Sequence, residues 1–199
     1  MSTAAEWWAV VAAFCAVVAE LIVAGVIYVE FEYNRRMKFI EESTSKQAAD
    51  DRFTIYKEFC EMQELTLSGK SKSFAKRLRS DLDKDQELRT RCERQLALLN
   101  NLGFETSRPF SINRDLKKLF PHGPVRMGII LHDYMDYELR RCGPLNAKYA
   151  MKFMLECLEI VKKFSKPICV AYGSKEFPVQ SDDLRSLEQD LTTWVGRTV

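Results

Sequence analysis

The side chains best suited to bind a metal ion lie close together in the chain. His132 and Asp133 are adjacent, Asp136 follows one helical turn later, and His122 precedes His132 by ten residues. A metal centre needs three or four ligands at fixed distances, and this spacing does not supply them. One interpretation is a metal-dependent hydrolase that uses His132 and Asp133. The other, which we favour, is a set of polar positions beside an apolar helical stripe, with no metal site.

The cysteines and glycines form no catalytic pattern either. The six cysteines contain no C-x-x-C pair, and buried thiols in a reducing compartment account for them. They are Cys15, Cys60, Cys92, Cys142, Cys157 and Cys169. The sequence also lacks a glycine-rich phosphate loop and a G-x-S-x-G turn. It therefore predicts no cofactor and no catalytic residue.

The charges divide the chain into two different parts. Residues 1–33 contain four acidic residues and no Lys or Arg, whereas residues 34–199 hold all 30 basic residues and 24 acidic ones. In the first part, every residue from Trp7 to Tyr28 except Glu20 is apolar. A helix of this length covers about 33 Å, enough for a hydrocarbon core of about 30 Å. We predict a transmembrane helix over residues 7–28; a cleaved signal peptide is the alternative.

Basic residues directly after this apolar stretch predict its orientation. Arg35, Arg36 and Lys38 follow it, and no Lys or Arg precedes it. Positively charged segments stay in the cytoplasm, so we expect the N-terminus outside and the larger C-terminal part inside. The predicted location is an inner or plasma membrane, which the chain crosses once.

One side of the predicted transmembrane helix carries small residues and a carboxyl group. Counted in steps of four, the residues on this side are Ala12, Ala16, Glu20 and Ala24. Small residues let helices approach, and a carboxyl group can hydrogen-bond across the contact. We therefore expect an interface with a second copy of the chain or with another membrane protein. The alternatives are a pore-forming or ion-coupled assembly that uses Glu20, and a protonated Glu20 that is merely tolerated.

A strongly basic segment follows in the second part of the chain. Its charged residues are Lys70, Lys72, Lys76, Arg77 and Arg79. For a domain tethered to a membrane, anionic lipid is the nearest partner, and each basic residue contributes roughly 1 kcal/mol there. The alternative is a solvated charged face. We expect no nucleic-acid partner, because the sequence has no helix-turn-helix signature and no aromatic ladder.

The hydrophobic periodicity predicts an all-α fold, in which the N-terminal transmembrane helix is followed by a cytosolic helical bundle of about five helices. We place a juxtamembrane helix or linker at residues 29–51, with helix continuing through 30–49, and the bundle at 52–165. A C-terminal tail, 166–199, contains one extended piece, ICVAY, and a possible final helix over residues 182–195.

Apolar residues at helical spacing mark two of the bundle helices. The first helix covers residues 52–67, with its stripe at Phe53, Tyr56, Cys60 and Leu67. The second covers residues 83–102, with its stripe at Cys92, Leu96, Leu99 and Leu102. Glycine commonly follows the end of a helix, so we expect Gly103 to be the C-cap of the second helix.

Three segments resemble an uncharacterised family of small bacterial single-span membrane proteins, known only as a domain of unknown function. They are Phe53-Thr54-Ile55-Tyr56-Lys57-Glu58-Phe59, Leu98-Leu99-Asn100-Asn101-Leu102-Gly103-Phe104 and Ile129-Ile130-Leu131-His132-Asp133-Tyr134. The likeness covers residues 5–165. Tyr134 stands where such proteins often have Trp, and Asn101 where they commonly have an acidic residue. The resemblance implies no reaction and no catalytic residue.

Together these patterns indicate a membrane-anchored helical protein that acts through protein–protein interaction, as an adaptor or as a subunit of a membrane assembly. The hydrolase based on His132 and Asp133, then membrane-bound, and the assembly based on Glu20 are the two other classes that the sequence leaves open.

Cysteine labelling in intact cells tests the predicted orientation. A Thr3→Cys variant should react with a membrane-impermeant maleimide from outside, whereas Cys60 and the later thiols should react only after the membrane is opened and the protein is unfolded in denaturant. The unsubstituted chain, which keeps Cys15, gives the background. Labelling of the C-terminal thiols from outside would contradict the cytosolic placement.

Overall fold

The computed structural model describes residues 4–67, 74, 78, 83–108, 116–119, 121–142, 147–163 and 168–197. Its elements in chain order are α1 (Ala4–Thr44), α2 (Lys46–Leu67), α3 (Asp83–Ser107), α4 (Leu116–Leu119), α5 (His122–Cys142), α6 (Lys148–Lys162), β1 (Cys169–Tyr172), β2 (Lys175–Pro178) and α7 (Ser181–Arg197). The fold is all-α, as predicted, with one short hairpin added. The chain divides into two compact units, Met1–Ile40 and Glu41–Val199.

The first unit consists of most of helix α1. Among the described residues, this is the one helix long and apolar enough to cross a membrane, by its length and composition, over Trp7–Glu42. None of its most apolar window is buried inside the structure. Trp8 and Phe14, for example, are 73% and 68% exposed. Continuous exposed apolar surface of this kind marks a site of contact with lipid or with another protein.

The helix does not continue through residues 30–49 as predicted, because Ser45 separates α1 from α2. The hydroxyl Oγ of Ser45 accepts a hydrogen bond from the backbone N–H of Ala48 at 3.2 Å. Serine favours a helix start because the first backbone N–H groups of a helix lack partners within it. Helix α2 therefore begins at Lys46, ahead of the predicted start at Arg52.

An ion pair around a buried carboxylate joins α2 to α3. Asp51 is 2% exposed, and Arg94 donates two hydrogen bonds to it, both at 2.8 Å. Arg91 donates a third at 3.1 Å. Next to this group, the amide of Gln95 donates to the backbone carbonyl of Ala48 at 3.2 Å. Arg94 is 41% and Arg91 24% exposed, so water screens part of the attraction, and the pair stabilises the fold less than a fully buried pair would. The pair therefore fixes α2 against α3.

A close backbone contact joins α3 to α6. The side-chain oxygen of Asn100 accepts hydrogen bonds from the backbone N–H groups of Tyr149 and Ala150, at 3.1 and 3.2 Å. These groups lie in the first turn of α6, whose N-cap residue, Ala147, makes no capping bond with its side chain. A Cβ atom at Gly103 would lie 2.0 Å from the backbone oxygen of Tyr149. Asn100 thus caps the neighbouring helix, and Gly103 lets its backbone approach.

This contact corrects the predicted role of Gly103. Helix α3 continues to Ser107, so Gly103 lies inside the helix and is not its C-cap. A glycine after an apolar stripe is the same sequence signal whether the glycine ends the helix or makes room for a neighbouring helix. Here the missing side chain makes room for Tyr149, and the chain does not turn.

The hydrophobic core of the second unit draws side chains from α2, α3, α5, α6 and α7. The predicted stripe of α3 is confirmed at the buried residues Cys92, Leu96 and Leu99. The predicted stripe of α2 is wrong at Phe53, which is 58% exposed; Ile55 and Phe59 are buried instead. The ring of Phe53 contacts Tyr172 of β1 edge to face, with 4.9 Å between the ring centroids. Phe53 therefore packs against the hairpin at the edge of the bundle, which explains why an aromatic residue occurs at this exposed position.

The C-terminal tail forms a β-hairpin and then helix α7. Strands β1 and β2 pair antiparallel, with Val170 opposite Phe177. The turn between them is Gly173-Ser174, and Gly173 has a φ of 60°, a conformation that favours glycine. The sequence predicted only the first extended piece, because Phe177 is the one large apolar residue before Pro178 in β2. Helix α7 occupies Ser181–Arg197, where the sequence predicted helix over 182–195.

The α3–α6 contact predicts opposite effects for two glycine substitutions. Gly103→Ala should lower the free energy of unfolding by about 2–3 kcal/mol, because the new Cβ overlaps backbone atoms that cannot rotate away. Gly123→Ala is the matched control in α5, since a Cβ there meets nothing within 4 Å. This control should be neutral or stabilising by up to about 1 kcal/mol. Equal melting temperatures for the two variants would contradict the close contact.

Candidate functional site

A cleft of about 740 Å³ lies between α2, α5, α7 and the hairpin. Pockets that hold small ligands or anchoring side chains measure about 300–1,000 Å³. The apolar residues that line the cleft are Phe59, Met62, Phe74, Ile129, Ile130, Val170, Phe177, Pro178, Val179 and Leu187. The polar residues are Gln63, His132, Asp133, Gln180, Asp183 and Ser186. Polar and apolar groups of the described residues therefore converge in this concavity.

Each side of the cleft is held by a specific contact. Gly128 of α5 lets α7 pack closely, because a Cβ at Gly128 would lie 3.3 Å from the side chain of Leu187. The hairpin is attached to α2 by an ion pair between Lys175 and Glu64, at 2.7 Å. The edge-to-face contact between Phe59 and Phe74, with ring centroids 5.6 Å apart, adds a further wall. Packing contacts and one ion pair therefore hold the walls of the cleft in place.

His132 links α5 to α7 at one end of the cleft. Its Nε2 atom lies 2.8 Å from Oδ2 of Asp190, and its Nδ1 atom lies 3.4 Å from Oδ1 of Asp133. The imidazole ring also stacks on Trp194, with 5.6 Å between the ring centroids. Trp194 is 5% exposed, whereas Asp190 and Asp133 are far more accessible. His132 thus connects the core to the acidic edge of the cleft.

The two carboxylates change the acid–base behaviour of His132. The hydrogen bond to Asp133, together with the hydrogen bond and charge of Asp190, raises the pKa of His132 above its ordinary value. Partial burial acts in the opposite direction, because it disfavours the charged form. The raised pKa means that the imidazolium form, which donates from both ring nitrogens, is favoured between these two carboxylates.

The residues that the metal-dependent alternative requires have other places in the structure. Both ring nitrogens of His132 face carboxylate oxygens, of Asp133 and Asp190. His122 is the first residue of α5. Among the described residues, no group of three or more His, Cys, Asp and Glu side chains could hold a metal ion. The contacts of His132 are those of a residue that joins two helices.

The buried thiols are poor nucleophiles. Burial raises the pKa of Cys92 and of Cys60, and it raises the pKa of Cys157 to about 12. The thiolate is the reactive form of cysteine, so these three residues are essentially unreactive near neutral pH. They belong to the hydrophobic core, so the predicted burial of these thiols is confirmed.

Two groups of predicted site residues lie outside the cleft. The predicted transmembrane interface, Ala12, Ala16, Glu20 and Ala24, lies on α1, and all four side chains are exposed in the single chain. The basic residues predicted to contact anionic lipid, Lys70, Lys72, Lys76, Arg77 and Arg79, lie outside the described residues. Both predictions therefore stay predictions.

Sequence reasoning identified His132 and Asp133 but missed the α7 residues that accompany them. Asp183, Leu187 and Asp190 are spaced by four and three positions, so they share one side of α7. The sequence did contain a signal for these residues, because two acidic positions and an apolar position fall on the same side of one helix. Their meeting with His132 depends on how α7 packs against α5, which spacing along the chain does not reveal.

Comparison with known proteins does not assign this chain to a family. No family model, no curated protein and no solved structure matches it. The resemblance to single-span membrane proteins therefore stays a prediction from the residue patterns.

The contacts of His132 predict a pH-dependent stability. Because its pKa is raised in the folded protein, its stabilising effect is fully present below the unfolded value of about 6.5 and is lost as the pH rises through the folded value. Asp190→Asn should therefore lower the free energy of unfolding near pH 6 by up to about 1 kcal/mol, as for half-exposed pairs, and should have a smaller effect near pH 9.

Urea unfolding at both pH values, followed by circular dichroism, measures this difference. Glu188→Gln is the matched control on α7, since Glu188 pairs with Lys162 and not with a histidine. Its effect should be the same at the two pH values. An equal loss of stability at both pH values in Asp190→Asn would show that the His132 contact does not titrate.

Proposed function

We propose that this chain is a single-pass membrane protein whose second unit binds other proteins, as an adaptor or as a subunit of a membrane assembly. The observation that supports the proposal is the stretch Trp7–Glu42 of α1, which is long and apolar enough to cross a membrane. None of the residues in its most apolar part is buried inside the structure. A helix with this exposed surface needs lipid or a partner around it.

The distribution of charge supports one orientation in an inner or plasma membrane. All the basic residues follow the apolar stretch, beginning with Arg35 and Arg36. Positively charged segments are retained in the cytoplasm, so the N-terminus would lie outside and the second unit would lie in the cytoplasm. The four free thiols described in the second unit, which are buried or half-buried, would suit a reducing compartment.

The cleft supports binding as the activity of the second unit. It combines apolar walls with a few polar groups at its edge, which is the usual composition of a binding site. Burial raises the pKa of Cys60, which follows the lining residue Phe59, and His132 is engaged between two carboxylates. Cys60 packs in the core and His132 joins two helices, so neither side chain is arranged for catalysis. Binding requires only the shape and the lining of the cleft.

The side of α1 that carries Ala12, Ala16, Glu20 and Ala24 is the proposed interface within the membrane. Small residues permit close approach of a second helix, and a carboxyl group in hydrocarbon usually faces a partner or water. The partner would be a second copy of the chain or another membrane protein. A pore-forming or ion-coupled assembly would use the same Glu20, and it is the second candidate function.

Crosslinking in native membranes tests the proposed interface. Glu20→Leu and Ala16→Leu should each weaken a crosslinked complex, because they remove a hydrogen bond or block close approach. Val18→Leu is the control, since position 18 lies on the opposite side of the helix from both residues. Unchanged crosslinks in both test variants would rule out this interface.

A Glu20→Gln variant separates the two kinds of partner. Hydrogen bonds in membranes contribute only about 0.6–2 kcal/mol, so this variant should largely preserve a complex of identical copies. It should disrupt a complex in which Glu20 pairs with a basic residue of another protein. Conductance in lipid bilayers that is lost in Glu20→Gln would instead support the ion-coupled assembly.

A further inference from the structure

One side of helix α1 carries a large apolar or aromatic residue at every seventh position. Seven residues make just under two helical turns, so residues with this spacing lie along one side of a helix. Trp7, Phe14, Leu21 and Tyr28 are 66%, 68%, 67% and 44% exposed, and all four belong to the uninterrupted helix Ala4–Thr44. They form a continuous exposed surface, which we call the large-residue stripe.

The two ends of the large-residue stripe differ in chemistry from its middle. Trp7 and Tyr28 each combine an aromatic ring with one polar group that forms hydrogen bonds, whereas Phe14 and Leu21 are wholly apolar. From Trp7 to Tyr28 a helix rises about 32 Å, and the hydrocarbon core of a bilayer is about 30 Å thick. Trp and Tyr are enriched at both interfaces of a membrane. The stripe therefore matches a bilayer in length and in the order of its polar and apolar groups.

We propose that the large-residue stripe faces membrane lipid, with Trp7 and Tyr28 in the two interfacial layers and the residues between them against the acyl chains. The inference rests on the proposed membrane-spanning role of α1, and it names phospholipid as the partner of this side. Lipid is favoured over a second helix because contacts between transmembrane helices use small residues, which let the two backbones approach.

The large-residue stripe and the proposed helix–helix interface use different sides of α1. Successive residues of an α-helix are rotated by about 100° about its axis. Phe14 therefore lies about 160° away from Ala16, and Leu21 lies about 100° away from Glu20. Contact with lipid on one side is thus compatible with contact with a protein on the other.

Tryptophan fluorescence in vesicles of brominated phosphatidylcholine tests the proposal on the full chain. Bromine quenches a tryptophan that it contacts, so lipids brominated near the headgroup or near the end of the acyl chain report the depth of a probe. The double variant Trp7→Phe, Trp8→Phe is the background, because its one remaining tryptophan is Trp194, in the core of the second unit. Subtracting this background isolates the signal of a single added probe.

Four probes follow the large-residue stripe across the membrane. Trp7 itself, kept in a Trp8→Phe chain, and Tyr28→Trp report the two ends. Phe14→Trp and Leu21→Trp, each added to the background chain, report the middle. The end probes should lose more fluorescence to bromine near the headgroup, and the middle probes should lose more to bromine near the chain end. All the substituted side chains are exposed on α1, so the core of the second unit stays unchanged.

Val23→Trp, in the same background, is the matched control for Leu21→Trp. Val23 is also exposed, it lies about 3 Å from position 21 along the axis, and it follows Ala16 by seven residues on the side of the proposed interface. A neighbouring helix would shield it, so it should lose less fluorescence than the probe at position 21. Equal losses would refute the helix–helix interface and still support lipid contact of the stripe, whereas a larger loss at position 23 would overturn the proposal.

Two further results would overturn the proposal. Middle probes that lose no fluorescence to either lipid would mean that a protein covers the stripe. An end probe that responds most to bromine near the chain end would contradict its interfacial position. A failure of the proposed membrane protein gives a different result, because the chain would then not float with the vesicles in a density gradient.

Discussion

Helix α6 begins with backbone N–H groups that its own N-cap residue does not bind, and α3 supplies the acceptor through the side chain of Asn100. The same contact requires Gly103, since any side chain there would overlap the backbone of Tyr149. Because Asn100 of α3 supplies the acceptor for the first N–H groups of α6, helix α6 can begin at only one position along α3. Helix α6 packs against α3, α5 and α7, so this junction sets the positions from which two sides of the cleft are built.

The remaining sides depend on a different kind of interaction. Helix α2 is fixed to α3 by the buried carboxylate of Asp51 and its two arginines, whose charge-assisted hydrogen bonds are directional in their geometry. The hairpin is then attached to α2 by Lys175 with Glu64 and by the ring contact of Phe53 with Tyr172. The cleft therefore lies between elements positioned by two anchors, one of backbone and amide groups and one of charges.

The sequence predicted the helical class and the α3 stripe because helical periodicity is a local property of the chain. It predicted the wrong role for Gly103, because a glycine that follows the end of a helix and a glycine that makes room for a neighbouring helix give the same sequence pattern. It also placed Phe53 in the buried stripe, although the ring of Phe53 contacts Tyr172 and is mostly exposed. It missed β2, since a single Phe177 gives no alternation to detect. It identified His132 and Asp133 but not Asp190 or Trp194, which are distant in the chain. What it missed are contacts between elements, which local patterns do not encode.

The two carboxylates beside His132 act on it locally because electrostatic fields in salt solution are short-ranged. At physiological ionic strength the screening length is about 8 Å, so a charge at the edge responds to the carboxylates it touches more than to the excess of basic residues elsewhere. The chain's net charge of +2 is the sum of these separate regions. The net charge of the chain therefore says little about the field at His132, which is governed at close range by the carboxylates of Asp133 and Asp190 that it contacts.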